Sequence, residues 1–231
     1  MKLPFVSFII PTYKEEKYIE DCLRSIKNQT YKGKYEIIVV DSKSPDSTVK
    51  IAKKFADKVF IIEERGVSKA RNFGVKKAKG EILFFVDADT ILLPNVLKEV
   101  VKAFKKGVVG VNVPISYDDY KIALYGYLAT GIFLLLLKFN FQPVYSICFA
   151  CRKDAFEKVG GFNEELKVTE DIELGERLKK IGKITLITST YAITSARRVK
   201  KWGIPKQLFS WPFGYFLFKF FKRQPAYPPI R

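Results

Sequence analysis

Ile82-Leu83-Phe84-Phe85-Val86-Asp87-Ala88-Asp89 is a run of five apolar residues followed at once by two carboxylates two positions apart. A short run that is apolar on both faces suits a strand buried inside a sheet with helices on each side. In an extended chain residues i and i+2 point the same way, so Asp87 and Asp89 are expected to converge on one ligand. Carboxylates brought together repel, and protonation, solvation or a divalent cation relieves the repulsion. An isolated D-x-D is more often a strand running into an acidic turn. The rest of the chain is what favours a cation.

Two further segments repeat the pattern. Residues 5–10 are apolar and lead into Pro11-Thr12-Tyr13-Lys14-Glu15, and Ile37-Ile38-Val39-Val40 leads into Asp41-Ser42-Lys43-Ser44-Pro45-Asp46. Each run is followed by a polar turn and then by helical periodicity, the pattern of a parallel strand feeding a crossover helix. Strands are expected near 4–10, 35–40, 58–62, 81–86, 108–114, 144–150 and 183–188. Helices are expected near 16–29, 46–56, 67–78, 94–105 and 169–181. In an open α/β sheet ligands bind beyond the carboxyl ends of the strands, so the three polar strand ends predict one shared pocket.

With 231 residues, 48% of them hydrophobic, the chain can bury a full α/β core. The expected division is a catalytic domain over residues 1–199 and a C-terminal basic, aromatic extension over 200–231. The chain has no histidine. A general base must then be a carboxylate, lysine or tyrosine, and a metal must be held by oxygen, which favours Mg2+ or Mn2+. Cys22, Cys148 and Cys151 are too few for a zinc site without histidine and read as reduced packing residues. The N-terminal apolar run is broken by Pro11 and falls short of a signal peptide, so a cytoplasmic location is expected.

The formal charge of +17 is unevenly spread, because every charged side chain after Glu176 is positive. Large aromatics, among them Trp202, Trp211, Phe213 and Tyr215, alternate with these cations. Such interleaving suits an anionic membrane surface at the inner face of a cell membrane. The composition alone also leaves RNA binding, or packing of the tail on the domain or on a partner, open. Residues 122–137 form a sixteen-residue apolar stretch. That is shorter than the roughly 20 residues a membrane span needs, so a buried or interfacial helix is expected.

PTYKE at 11–15, VVDSKSPDST at 39–48, RGVSKARNFGVKKAKGE at 65–81, FFVDAD at 84–89 and GGFNEELKVTEDIELGERLKKIG at 160–182 occur in that order. Together they resemble a family 2 glycosyltransferase of the GT-A fold, an α/β architecture with a mostly parallel central sheet flanked by helices. The resemblance implies that Pro11, Thr12, Tyr13 and Glu15 line the nucleotide, with Asp41 hydrogen-bonded to the base. It implies that Arg71 approaches the diphosphate or base, that Asp87 reaches the ribose or metal, and that Asp89 is the main metal ligand. It makes Asp171 the catalytic base of an inverting displacement and gives Gly160-Gly161-Phe162 the sugar wall. Lys14 and Ser42 depart from the usual Asn and second acid of the family pattern.

TSARRVKKWG at 194–203 is similar to a segment found after the last strand in some members. An extended chain there would turn one of Arg197 and Arg198 toward the crevice, suited to an acceptor phosphate or the leaving diphosphate. The implied activity uses a UDP- or GDP-sugar donor with Mg2+ or Mn2+. The implied acceptor is lipid-linked, such as a polyprenyl phosphate, with peripheral membrane contact and no nucleic acid partner. The residues by themselves leave other readings open. Asp41 also suits an Asx turn, Arg71 a solvated helix face, and Asp171 the electropositive start of a helix. A nucleotidyltransferase-like enzyme and a non-catalytic basic adaptor for nucleic acid or membrane likewise stay open.

Overall fold

A computed structural model describes residues 3–124, 126, 128, 131, 144, 146–166 and 168–203. The first half alternates strand and helix as β1 (Val6–Thr12), α1 (Ile19–Lys27), β2 (Tyr35–Asp41), α2 (Thr48–Ala52), β3 (Lys58–Ile61), α3 (Val67–Lys77) and β4 (Ile82–Val86). Then come β5 (Thr90–Leu92), α4 (Val96–Ala103), β6 (Val108–Asn112), β7 (Ile115–Tyr117), β8 (Cys148–Arg152), β9 (Lys183–Leu186) and β10 (Ala192–Thr194). Helices Lys153–Lys158 and Glu170–Lys179 lie between β8 and β9, and helix Arg197–Trp202 follows β10. Most of the apolar stretch at 121–139 and all of the extension beyond 203 lie outside the described residues. The expected domain limit at 199 falls within helix Arg197–Trp202.

Seven strands form the main sheet in the order β3-β2-β1-β4-β8-β6-β9. β1 runs parallel to β2 and β4, and β2 parallel to β3, while β8 is antiparallel to both of its neighbours. Alternation of side chains across the pleat divides the core in two. Phe8, Ile10, Ile37, Val39, Phe84 and Val86 face the layer with α1 and α4. Ile9, Ile38, Val40, Leu83 and Phe85 face the layer with α3 and helix Glu170–Lys179. Cys148 and Cys151, three apart on β8, fall into opposite layers for the same reason, and all three cysteines are buried and free.

The sequence reading missed a second, three-stranded sheet of order β5-β10-β7. Its strands hold three residues each, too few for a two-residue period to be read. β10 pairs antiparallel with β5, setting Thr194 opposite Thr90, and parallel with β7. This pairing brings the chain after β10 back to the turn that carries Asp89.

α3 lies close against the main sheet because residue 74 has no side chain. A Cβ there would come within 2.6 Å of Ile9 Cγ2 and 3.3 Å of Val40 Cγ2, methyls of rigid, branched side chains. Gly74→Val is expected to lower stability by about 1–3 kcal/mol through overpacking and to push α3, with Arg71, off the sheet. A lowered urea midpoint with unchanged slope would show it, and an unshifted midpoint would contradict the close approach.

Candidate active site

Polar side chains gather beyond the ends of β1, β2 and β4, joined by hydrogen bonds and ion pairs. Thr12 and Asp41 are register partners at the ends of β1 and β2, and Thr12 Oγ1 donates to Asp41 Oδ2 at 2.7 Å. Asp41 is fully buried and also accepts from Ser44 N on Oδ1 and Ser44 Oγ on Oδ2, each at 2.7 Å. Asp41 thus ties the turn after β2 to the end of β1, and Ser44 is a partner the sequence reading did not single out. Lys14 and Lys43, at φ 58° and 56°, turn the chain out of the two strands. Left-handed backbone costs a non-glycine residue about 1–2 kcal/mol, and Lys14 N is held by Ser44 Oγ at 2.8 Å. Pro11 lies within β1, and Tyr13 at the next bend has the Arg65 guanidinium 4.5 Å from its ring centre.

The D-x-D segment is not extended as expected. β4 stops at Val86, and Thr90 N donates to Asp87 O at 3.0 Å, which closes a turn over Asp87-Ala88-Asp89-Thr90. The turn gives each carboxylate a different arginine. Asp87 Oδ1 lies 2.8 Å from Arg71 Nη2, and Asp89 Oδ2 lies 2.8 Å from Arg197 Nη2. Repulsion between the two acids is thus offset by two guanidinium groups from opposite sides.

Arg71 does not lie on a solvated helix face. It is 2% exposed, and its Nη1 donates to Glu170 Oε1 at 3.0 Å while its guanidinium stacks 5.2 Å from the centre of the Phe162 ring. Burial opposes its charge, but Asp87, Glu170 and Asp171 outweigh that and raise its pKa above the ordinary guanidinium value. Phe162 is held in turn by Asn72 of α3, which donates to Phe162 O at 2.8 Å and accepts from Phe162 N at 3.0 Å. Gly160 and Gly161, at φ 82° and 73°, make the turn that permits this approach.

Helix Glu170–Lys179 begins after Thr169, whose φ is 63° and whose hydroxyl makes no cap. Its first two acids point to different partners. Glu170 takes Arg71, whereas Asp171 Oδ2 accepts from Ser146 N at 3.2 Å and Ser146 Oγ at 3.3 Å, and Oδ1 from Ile172 N at 2.8 Å. Burial and the neighbouring Asp171 push Glu170 up to about 7 despite Arg71. Burial also raises the Asp171 pKa, against the hydrogen bonds from Ser146 and the charge of Arg71. Glu170 and Ser146 were not singled out as site residues in the sequence. Glu170 stands beside Asp171 in the TED motif, but Ser146 carries no local signal.

Arg197 and Arg198 are not extended either, because both lie in the short helix Arg197–Trp202. Arg197 forms a two-pronged pair with Glu15, Nη1 to Oε2 and Nη2 to Oε1, each at 2.9 Å. Arg198 sits 5.9 Å from the Trp202 ring centre. Asp89 is pushed up to about 6, chiefly by burial and further by Asp87 and Glu15, with Arg197 and Arg198 opposing. Among the described residues no group of three or more His, Cys, Asp or Glu side chains forms a metal-ligand cluster.

An open sheet with its carboxylates gathered beyond the strand ends is the arrangement of a nucleotide-sugar transferase fold. The glycosyl transferase family 2 pattern matches residues 7–160, and the chain belongs to that family. Glycosyltransferase AglE of Haloferax volcanii is 34% identical over 191 residues, covering 78% of this chain and 63% of that protein. This chain thus spans less than two thirds of that relative's length. A mannosyltransferase from Pyrobaculum calidifontis in complex with GDP-Man and Mn2+ superposes with a TM-score of 0.72 at 22% identity, over 97% of this chain and 66% of that one. Residues 1–349 of S. aureus TarS in complex with UDP-GlcNAc superpose with a TM-score of 0.70 at 24% identity, over 84% of this chain and 58% of that one. At these identities the two structures establish the fold.

The raised Glu170 carboxyl has a consequence for stability. It ionises near 7 in the native protein and near 4.5 without its surroundings, so between those values the native state holds a proton the unfolded chain has released. Stability contributed by this group is therefore full below 4.5 and is lost as pH rises through about 7. Glu170→Gln should remove that dependence. Melting of both proteins at about pH 5 and about pH 7.5 should show the parent losing ground to the variant at the higher pH, and a constant difference would contradict the assignment.

Proposed function

We propose that this chain transfers a sugar from a UDP- or GDP-sugar to a hydroxyl of a lipid-linked acceptor, in one displacement that inverts the anomeric centre. The observation that carries this reading is the charge of the crevice. Five carboxylates gather there: Arg71 pairs with Asp87 and Glu170 and feels Asp171, and Arg197 pairs with Glu15 and Asp89. An anionic diphosphate enters such a place only with a cation. Asp87 and Asp89 offer oxygen alone, and two carboxylates completed by diphosphate oxygens and water suit Mg2+ or Mn2+. The bound ion would neutralise charge developing on the leaving diphosphate. The family membership and the ligands of the two fold neighbours support a nucleotide-sugar donor.

In this reading Thr12 and Asp41 close the floor of the base pocket, with Pro11, Tyr13 and Glu15 along its side. Arg71 keeps Asp87 oriented. Asp171, its pKa raised and its carboxylate aimed by Ser146, takes the proton from the attacking hydroxyl.

Membrane contact is part of the same proposal. Tyr120, Leu124 and Leu128, four apart along one helical face, are 82%, 65% and 60% exposed. Ile122 of that segment packs with Val199 of the helix that carries Lys200, paired with Asp119, and the exposed Lys201. Exposed apolar side chains beside lysines suit an anionic lipid surface. Among the described residues no helix is long and apolar enough to cross a membrane.

Release of UDP or GDP, rather than pyrophosphate, from a panel of nucleotide sugars tests the activity. Asp89→Asn should abolish Mn2+-dependent binding of the nucleoside diphosphate while the protein stays folded, because burial already disfavours the Asp89 charge. Calorimetry showing equal metal-dependent affinity would remove Asp89 from the metal site. Asp171→Asn should cut turnover by about 10²–10⁴-fold with donor binding retained. A near-parental rate would mean an acceptor that needs no deprotonation, such as a phosphate.

A further inference from the structure

Arg197 joins two carboxylates that belong to different parts of the donor site. Its fork holds Glu15, from the turn after β1, while Nη2 also lies 2.8 Å from Asp89 Oδ2, from the turn after β4. The guanidinium stacks over Tyr18, 4.6 Å from the ring centre. Glu15 is only 3% exposed and the Asp89 side chain 15%, so water screens neither fully. A positive charge between two such acids relieves their repulsion. Arg197 supplies it.

A guanidinium 2.8 Å from Asp89 Oδ2 weakens the hold of that oxygen on a divalent cation, because like charges close together in a poorly solvated crevice repel. We infer that Arg197 is the resident counter-ion of Asp89, exchanged for the divalent cation as the nucleotide diphosphate binds, with the freed Nη2 donor passing to a phosphate oxygen. The inference rests on reading Asp89 as a metal ligand. The charges balance on both sides of the exchange. The cation takes over the Asp89 carboxylate, and the guanidinium gains an anionic phosphate in its place.

The structure allows this with little movement. The Glu15 fork keeps the side chain at the crevice after Asp89 is released. The backbone around it is pinned by Ser195 N donating to Asp89 O at 3.2 Å, Ala196 N to Asp118 Oδ1 at 2.8 Å, and Lys200 Nζ to Asp119 Oδ2 at 2.8 Å. Metal alone offers the displaced guanidinium no new partner, so metal and diphosphate should each bind better in the other's presence.

Free Mn2+ measured by electron paramagnetic resonance, in titrations of the parent, Arg197→Met and Arg197→Lys with and without UDP or GDP, tests the exchange. Arg197→Met should bind Mn2+ alone about 10- to 100-fold more tightly than the parent, the scale of one charge-assisted hydrogen bond. Nucleoside diphosphate should improve Mn2+ binding less in this variant than in the parent. Arg197→Lys keeps the charge but loses the planar fork, and should also bind Mn2+ more tightly than the parent. Arg197→Met binding Mn2+ no better than the parent overturns the inference. Arg197→Lys matching the parent overturns it too, since Arg197 would then act only as a background charge. If the parent binds no Mn2+ with either nucleotide, or Asp89→Asn binds it equally well, the metal reading of Asp89 fails instead.

Discussion

Two arginines, each shared between carboxylates from distant parts of the chain, are the interactions on which this crevice depends. Arg71 ties Asp87 to Glu170, and Arg197 ties Asp89 to Glu15. A buried carboxylate without a partner would take up a proton or open to water. With the arginines present, several acids stand side by side in a space with little water. In the proposed function, an anionic donor would enter beside these acids together with a cation.

The two arginines reach the crevice by different routes. Arg71 rides on α3, which the missing side chain at Gly74 lets settle against Ile9 and Val40. Arg197 arrives from the far end of the described chain, because β10 pairs with β5 directly beyond the turn that carries Asp89. The small second sheet therefore does more than extend the core. It holds helix Arg197–Trp202 beside the strand-end turn, with Ser195 N donating to Asp89 O at 3.2 Å.

Strain and polarity gather at the same place. The three non-glycine residues with left-handed backbone among those described, Lys14, Lys43 and Thr169, stand just after β1, just after β2 and just before Glu170. Lys14 and Lys43 turn the chain away from the sheet and Thr169 turns it into a helix, and each has a carboxylate close behind or ahead of it. Strained backbone of this kind persists where surrounding hydrogen bonds over-determine it, as the Ser44 hydroxyl does at Lys14.

Much of this was legible in the residues. Runs such as Ile37–Val40 and Ile82–Val86 are apolar on both faces, and burial of both faces of a sheet leaves that pattern in any sequence, so the main strands, their helices and the pocket beyond their ends could be read directly. The carboxylates in the turns could be named for the same local reason. Their partners could not. Glu170 and Arg71 are 99 residues apart, Glu15 and Arg197 182 apart, and no periodicity records which cation meets which anion. The turn at Asp87 and the three-residue strands β5 and β7 also left no trace, since hydrogen bonds to other segments, rather than local propensity, determine them. The sequence by itself determined where the acids lie along the chain. Only the tertiary structure decided which arginine each acid faces, because an ion pair is selected by distance through space, and that distance exists only once the two sheets have packed.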